Sequence, residues 1–133
     1  MKPIVICTHA QMAEGLKSAA EMICGKQEKL YAVGLAEGEG LTELMEKLAA
    51  LFAGFEEMPL VLTDLYGATP FNASAAALAT TDAMLLTGAN LPMLLELLTA
   101  RGDGELNEEL SLFADSGREG IRIVSMREMF NNL

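Results

Sequence analysis

The sequence predicts an α/β fold, built as a doubly wound and mainly parallel sheet with helices on both faces. The first observation is that short apolar runs alternate with segments of helical periodicity along the 133 residues. The second is that these runs lack strict in/out alternation, which is typical of parallel strands covered on both faces. Such an order implies right-handed crossover connections and places a ligand beyond the carboxyl ends of the strands.

The strands are predicted from their apolar runs. Four of them span residues 4–7, 30–35, 59–65 and 83–87. A fifth extended run, 120–125, is more polar and contains Arg122, which indicates an edge position. A chain of this length, with 51% hydrophobic residues, is predicted to form one domain over residues 1–133.

Helical patterns lie between the strands and before the last one. They cover residues 11–25, 41–55, 69–79, 90–102 and 105–117. The second has the strongest apolar stripe. The third opens with Thr69 and Pro70, interpreted as an N-cap followed by proline at the first helical position. The fourth opens with Asn90 as its cap and closes at Gly102. The fifth carries Leu106, Leu110 and Phe113 on one face.

The charge balance excludes two classes of partner. Nineteen acidic side chains against nine basic ones give a formal charge of −10. No basic face is available to displace phosphate counterions, so we expect no binding to nucleic acid or to an anionic membrane surface.

Cysteine usage indicates the cytoplasm. Cys7 and Cys24 form neither a CxxC motif nor a metal-like cluster, and two unpaired thiols suit a reducing compartment. The N-terminal apolar run is too short for a signal peptide. The least charged stretch, residues 65–95, is broken by Gly, Pro and Asn and does not resemble a membrane span.

The candidate site lies where the predicted strands end. His9, the single histidine, follows strand one, and Asp64 ends strand three. Thr87, Gly88 and Asn90 follow strand four. If the strand order reverses beside strand one, strands one and three are neighbours, and His9 could then meet Asp64.

Each of these residues also has an ordinary structural interpretation. A lone histidine is usually a surface or turn residue, Asp64 could cap the turn that follows it, and Thr69 could serve only as an N-cap. Their combination is more specific. Imidazole is suited to nucleophilic work near neutral pH, and a helix N-terminus preceded by the small residues Gly67 and Ala68 can bind an anion. The sequence therefore predicts that His9 is a nucleophile that takes a phosphoryl group.

Other chemistry fits the sequence less well. It contains no GxSxG elbow, P-loop or GxGxxG motif, and one histidine without clustered ligands makes a catalytic zinc improbable. Cys7 lies within an apolar run, where packing is its expected role. We expect neither a metal nor another cofactor.

At these residues the chain resembles the enzyme IIA domain of the mannose-type sugar phosphotransferase system. Three stretches carry the resemblance: IVICTHAQMAEGL at 4–16, VLTDLYGATPFNAS at 61–74 and LLTGANLPMLLEL at 85–97. Their order and separation extend it over essentially the whole chain.

The resemblance implies a phosphoryl carrier. His9 would accept phosphate through Nε2 from the phosphocarrier protein HPr and pass it to enzyme IIB, which serves the membrane sugar permease. Asp64 would pair with the other ring nitrogen, and Thr69 would hydrogen-bond the phosphoryl group. The resemblance also implies four parallel strands plus an antiparallel fifth, exchanged between the subunits of a homodimer.

Some features depart from the family, and other functions stay open. The family often has glycine where this chain has Ala10 and Ala68. The phosphoryl-donor subunit of dihydroxyacetone kinase shares the fold and the histidine, although the TGANLPM stretch favours the sugar transporter. A receiver-like switch phosphorylated at Asp64 fits Thr87, but it lacks the acidic pair after strand one and the lysine after the last strand. A regulatory or ligand-binding domain of the same fold is a further class. The sequence does not name the sugar.

Overall fold

A computed structural model describes residues 1–102 and 106–131. Its sheet has four parallel strands in the order β2-β1-β3-β4. The strands are β1 (Ile4–His9), β2 (Leu30–Leu35), β3 (Leu60–Thr63) and β4 (Leu85–Thr87). The α/β fold and its four parallel strands are confirmed, as is the predicted contact between the first and third strands.

Five of the helices follow the predicted order, and a sixth, at the C-terminal end, was not predicted. They are α1 (Met12–Cys24), α2 (Leu41–Ala53), α3 (Thr69–Ala77), α4 (Leu91–Ala100), α5 (Leu110–Glu119) and α6 (Met126–Asn131). The segment predicted as one helix over 105–117 is a 3₁₀ turn (Leu106–Glu108) followed by α5, and its first residue lies outside the described ones. None of the helices described is long and apolar enough to cross a membrane.

The two faces of the sheet are buried by different helices. Ile4 and Ile6 of β1 pack with residues of α1, α4 and α5, including Leu94 and Phe113. On the opposite face, the core consists of Val5, Cys7, Val61, Leu44, Leu48, Phe52 and Ala73 from β1, β3, α2 and α3. Successive residues of one strand thus enter opposite cores, which explains the uninterrupted apolar run of β1.

The predicted fifth strand over 120–125 is not formed within the chain. The structure has no strand after α5 in its described part, and residues 121–125 are exposed. A strand needs hydrogen-bond partners along its edge, and this segment finds none in its own sheet. It continues into the short helix α6, which the sequence analysis missed. The apolar side chains of this C-terminal segment, residues 121–131, are exposed at Ile121, Ile123, Val124, Met126, Met129 and Phe130.

Candidate functional site

The topology brings His9 and Asp64 together at the carboxyl edge of the sheet. Ile4 to Cys7 of β1 pair in parallel with Leu60 to Thr63 of β3, so both chains leave the sheet side by side. His9 is the last residue of β1, and Asp64 follows β3 directly. The distance from His9 Nδ1 to Asp64 Oδ2 is 2.8 Å.

A second hydrogen bond fixes the same pair. The backbone N–H of His9 donates to Asp64 Oδ2 at 3.1 Å, so one carboxylate oxygen holds both the ring and the backbone of His9. The His9 side chain is 45% exposed, whereas that of Asp64 is only 11% exposed. The imidazole therefore presents its free edge to solvent while the carboxylate lies behind it.

These bonds also determine the charge of Asp64. Burial by itself raises the pKa of this carboxyl group, but the hydrogen bonds from the ring and the N–H of His9 outweigh burial and leave the pKa below its ordinary value. Asp64 is therefore an anion at neutral pH. An anionic acceptor on Nδ1 keeps the proton of a neutral imidazole on that nitrogen and leaves Nε2 with its lone pair.

The turn after His9 is built around Thr8. Its buried hydroxyl donates to the carbonyl of His9 at 3.0 Å and accepts from the N–H of Ala13 in the first turn of α1 at 2.7 Å. The turn itself passes through Ala10, whose φ of 49° is in the left-handed region. The role of Thr8 in joining β1 to α1 was not predicted from the sequence.

The predicted N-cap at Thr69 is wrong. Helix α3 begins at Thr69, the N-cap position belongs to Ala68, and no side chain among the described residues caps this end. The side chain of alanine has no oxygen that could cap the helix. The first N–H groups of α3 and the Thr69 hydroxyl are therefore available to donate to another acceptor. Such an end attracts an anion.

The loop before α3 is held in a defined shape. Gly67 adopts a φ of 79°, and the side chain of Asn72 donates to its carbonyl at 3.0 Å. The N–H of Ala68 donates to the carbonyl of Leu65 at 3.3 Å, closing a turn directly after Asp64. The N-terminus of α3 is thus fixed at the same edge of the sheet as the carboxylate.

The remaining candidates have structural roles. Thr87 accepts a hydrogen bond from the hydroxyl of Thr63 at 2.9 Å. Asn90 caps α4, as predicted, by accepting from the N–H of Met93 at 3.0 Å, and it donates to the carbonyl of Gly117 at 2.8 Å. Cys7 is fully buried, and burial raises the pKa of its thiol to about 11, so it is a packing residue and no thiolate at neutral pH.

The arrangement combines three chemical elements. It offers a nucleophilic nitrogen in solvent, an anionic orienting group behind it, and an uncapped helix N-terminus on the loop that follows the carboxylate. These are the parts needed to receive and hold a phosphoryl group. In the described ranges, 1–102 and 106–131, no three His, Cys, Asp or Glu side chains are grouped as metal ligands.

Known proteins are similar to this chain in sequence and in fold. The family model described as "EIIA-man: PTS system fructose IIA component" matches residues 3–112. The chain is 36% identical over 128 residues to the "PTS system mannose-specific EIIAB component" of Escherichia coli, covering 93% of this chain but only 40% of that protein. It is 32% identical over 128 residues to the "PTS system fructose-specific EIIA component" of Bacillus subtilis, covering 94% of this chain and 88% of that protein.

Solved structures agree with the sequence relatives. The phosphotransferase system component EIIA from Streptococcus agalactiae superimposes with a TM-score of 0.84 at 33% identity, over 92% of this chain and 97% of the other. The mannose/sorbose-specific IIA subunit from Enterococcus faecalis has the same TM-score at 28% identity, over 95% and 97% of the two chains.

Proposed function

We propose that this chain, which belongs to the mannose-type family of phosphotransferase-system IIA components, is a cytoplasmic phosphoryl carrier. In this proposal His9 accepts phosphate from HPr and passes it to an enzyme IIB that phosphorylates a sugar during uptake. The observation that carries the proposal is the bond between His9 Nδ1 and Asp64 Oδ2. The chain spans about 40% of the length of the E. coli relatives, which are named as EIIAB components.

The transfer step follows from the ring geometry. With its proton on Nδ1, His9 attacks the phosphorus of a phosphohistidine donor through the lone pair of Nε2. A P–N bond forms at Nε2 as the donor P–N bond breaks, and the freed electron pair returns to the donor imidazole. His9 gains positive charge as this happens, and the carboxylate of Asp64 stabilises it. Passing the group to enzyme IIB repeats the exchange in the opposite sense.

The phosphoryl oxygens need donors while the group is transferred and held. The Thr69 hydroxyl and the open N–H groups of α3 are proposed to supply them, since this helix end is uncapped. Gly67 and Ala68 are small, which lets an oxygen approach the backbone. The relatives named for mannose, fructose and sorbose make a dihydroxyacetone kinase subunit the less favoured alternative.

A docking surface for HPr is proposed beside His9. Leu65 and Tyr66 directly follow Asp64 and are 60% and 76% exposed, and Met12 at the start of α1 is also exposed. Exposed apolar side chains next to a reactive group are typical of partner binding. We expect Tyr66→Ala to raise the KM for phospho-HPr about tenfold. Met22→Ala, an exposed position at the far end of α1, should leave KM unchanged, and an equal effect in both variants would contradict this surface.

The homodimer is proposed to form through the C-terminal segment. A second copy would provide the strand partner that residues 121–125 lack within one chain, and it would cover apolar side chains such as Ile123. Light scattering should give a dimer for the full chain and a monomer after truncation behind Gly120. The cut keeps α5 complete, including its contact with Asn90. A full chain that is monomeric at micromolar concentration, or a truncated one that stays dimeric, would refute the exchange.

Phosphorylation of the purified chain tests the main proposal. We expect phospho-HPr to transfer one group, labile in acid and stable in alkali, and His9→Ala to abolish it. Undiminished labelling of His9→Ala would overturn the assignment. An acyl phosphate released by hydroxylamine would instead indicate a receiver-like switch at Asp64.

A further inference from the structure

We propose that Gly34 of β2 is a positioning residue for His9 and acts through the backbone of Ala10. The proposal concerns the reaction of the proposed function and therefore rests on it. Glycine has no side-chain group that could position another residue. The proposed role of Gly34 is therefore inferred from the packing around it.

Gly34 is required for a close approach. A Cβ built on it would overlap the carbonyl oxygen of Ala10, well inside van der Waals contact, and its φ is outside the left-handed region. Its backbone conformation is thus open to any residue. The space that its missing side chain leaves is filled by the turn that follows His9.

That turn has little freedom to move aside. The N–H of Ala10 donates to the carbonyl of Leu35 at 2.9 Å, and Ala10 already has a φ of 49°, which non-glycine residues rarely adopt. The N–H of His9 is held by Asp64 on the other side. A group inserted at position 34 therefore pushes on a turn anchored at both ends.

The end of β2 is held in place as well. Lys47 of α2 donates from Nζ to the carbonyl of Gly34 at 3.4 Å and to Glu39 Oε1 at 3.2 Å. Glu39 in turn accepts from the N–H of Ala36 at 2.7 Å. Because β2 is also paired with β1 along its length, we expect an overlap at Gly34 to distort the turn at Ala10.

Displacement of Ala10 reaches the nucleophile directly. The ring Nδ1 and the backbone N–H of His9 are held by hydrogen bonds of 2.8 and 3.1 Å to a single carboxylate oxygen. A misplacement on the order of 1 Å in such an arrangement can slow a reaction about 10²-fold. A glycine at position 10 would let the turn rearrange, because it adopts left-handed and other unusual conformations freely. The two positions are therefore coupled through the backbone conformation of the turn.

Three variants test this coupling. Gly34→Ala should slow transfer from phospho-HPr about 10²-fold, and the double variant Ala10→Gly/Gly34→Ala should recover to within about tenfold of the wild type. Gly15→Ala is the matched control, because a Cβ there meets nothing within 4 Å, and it should transfer at the wild-type rate. Thermal melts and ¹H–¹⁵N spectra establish that each variant is folded.

A second readout does not depend on phosphorylation. The ¹⁵N shifts of the His9 ring should show the proton fixed on Nδ1 in the wild type and in Gly15→Ala, and a tautomer mixture in Gly34→Ala. If the chain is not a phosphoryl carrier, transfer is absent in every variant while this spectral change persists. The positioning role is overturned if folded Gly34→Ala has wild-type rates and an unchanged ring spectrum. It is also overturned if Gly34→Ala unfolds and Ala10→Gly does not restore the fold.

Discussion

Replacing Asp64 by asparagine separates the charge of the orienting group from its shape. Oδ2 of Asp64 accepts both hydrogen bonds from His9, while the buried Oδ1 has no hydrogen-bond partner among the residues that the structure describes. An asparagine can therefore place its amide oxygen where Oδ2 lies and its NH₂ group where Oδ1 lies. In that orientation both bonds to His9 persist, and only the negative charge is lost. In the flipped orientation the NH₂ group faces Nδ1 and favours the tautomer with the proton on Nε2, which cannot attack.

The expected loss follows from the bonds that weaken. A hydrogen bond to a charged group contributes about 1.5–3 kcal/mol, against about 1 kcal/mol for a neutral one. The ring becomes positive as the P–N bond closes, so the transition state also loses an ion pair at 2.8 Å. Two weakened bonds lose about 1–4 kcal/mol on this scale. We expect the upper part of that range, about 2.7–4.1 kcal/mol or 10²–10³ in rate, because the ion pair and the flipped fraction add to the loss.

Rapid-quench measurements of transfer to and from His9 provide the assay, with a thermal melt of the same samples. Asp64→Asn should fold, slow transfer in both directions by 10²–10³ and leave His9 the labelled residue. If Asp64 only caps its turn, the variant should lose about 1 kcal/mol of stability and transfer normally in its folded fraction. Wild-type rates beside a lowered melting temperature would falsify the orienting role.

Three further predictions concern the same site. Thr69→Val should slow transfer by roughly 10–10² through one lost bond to the phosphoryl group, and a melting temperature that falls instead would make Thr69 structural. Because the pKa of Asp64 lies below its ordinary value, the stability that its carboxylate contributes is complete above the ordinary Asp pKa of about 3.9 and is lost as pH falls through the lowered pKa. The difference in melting temperature between wild type and Asp64→Asn should therefore be fully present above that ordinary pKa and shrink as the pH falls below it. Transfer from purified phospho-HPr should continue in EDTA, and a stop would indicate a metal.

The parallel sheet could be predicted because strands that are buried on both faces have uninterrupted apolar sequences. Ile4 and Ile6 face one core and Val5 and Cys7 the other, so the four residues 4–7 of β1 are all apolar. The neighbourhood of His9 and Asp64 followed from the same reasoning, since it needs only the strand order and the rule for strand ends. The arrangement of strands that are distant in sequence is determined by which elements must be buried by others.

Features that depend on one residue of register, or on a pairing strand that the described part of the chain does not provide, could not be predicted in the same way. Thr69 and Ala68 are both compatible with the start of α3, and only the backbone conformation assigns the N-cap to Ala68. The segment 121–125 has a strand-like sequence, but a strand exists only where another strand is available for pairing. The sequence of this segment favours an extended conformation. It contains no information on which strand would pair with it.

Gly34 illustrates a third limit of prediction from sequence, because its proposed importance lies in the absence of a Cβ atom. A glycine in a strand is usually a weak point, and nothing in the residues around it identifies the backbone that fills its space. That backbone belongs to Ala10, a position where glycine would have been the easier choice, since its φ is 49°. The chain thus has glycine at position 34 on β2 and alanine, with its methyl group, at position 10 in the turn. A turn residue with a side chain has fewer accessible conformations than glycine, so this choice restricts the backbone next to His9. His9 is therefore in contact with three strands: β1 carries it, β3 leads into the carboxylate that accepts its two hydrogen bonds, and β2 packs through Gly34 against the turn that follows it.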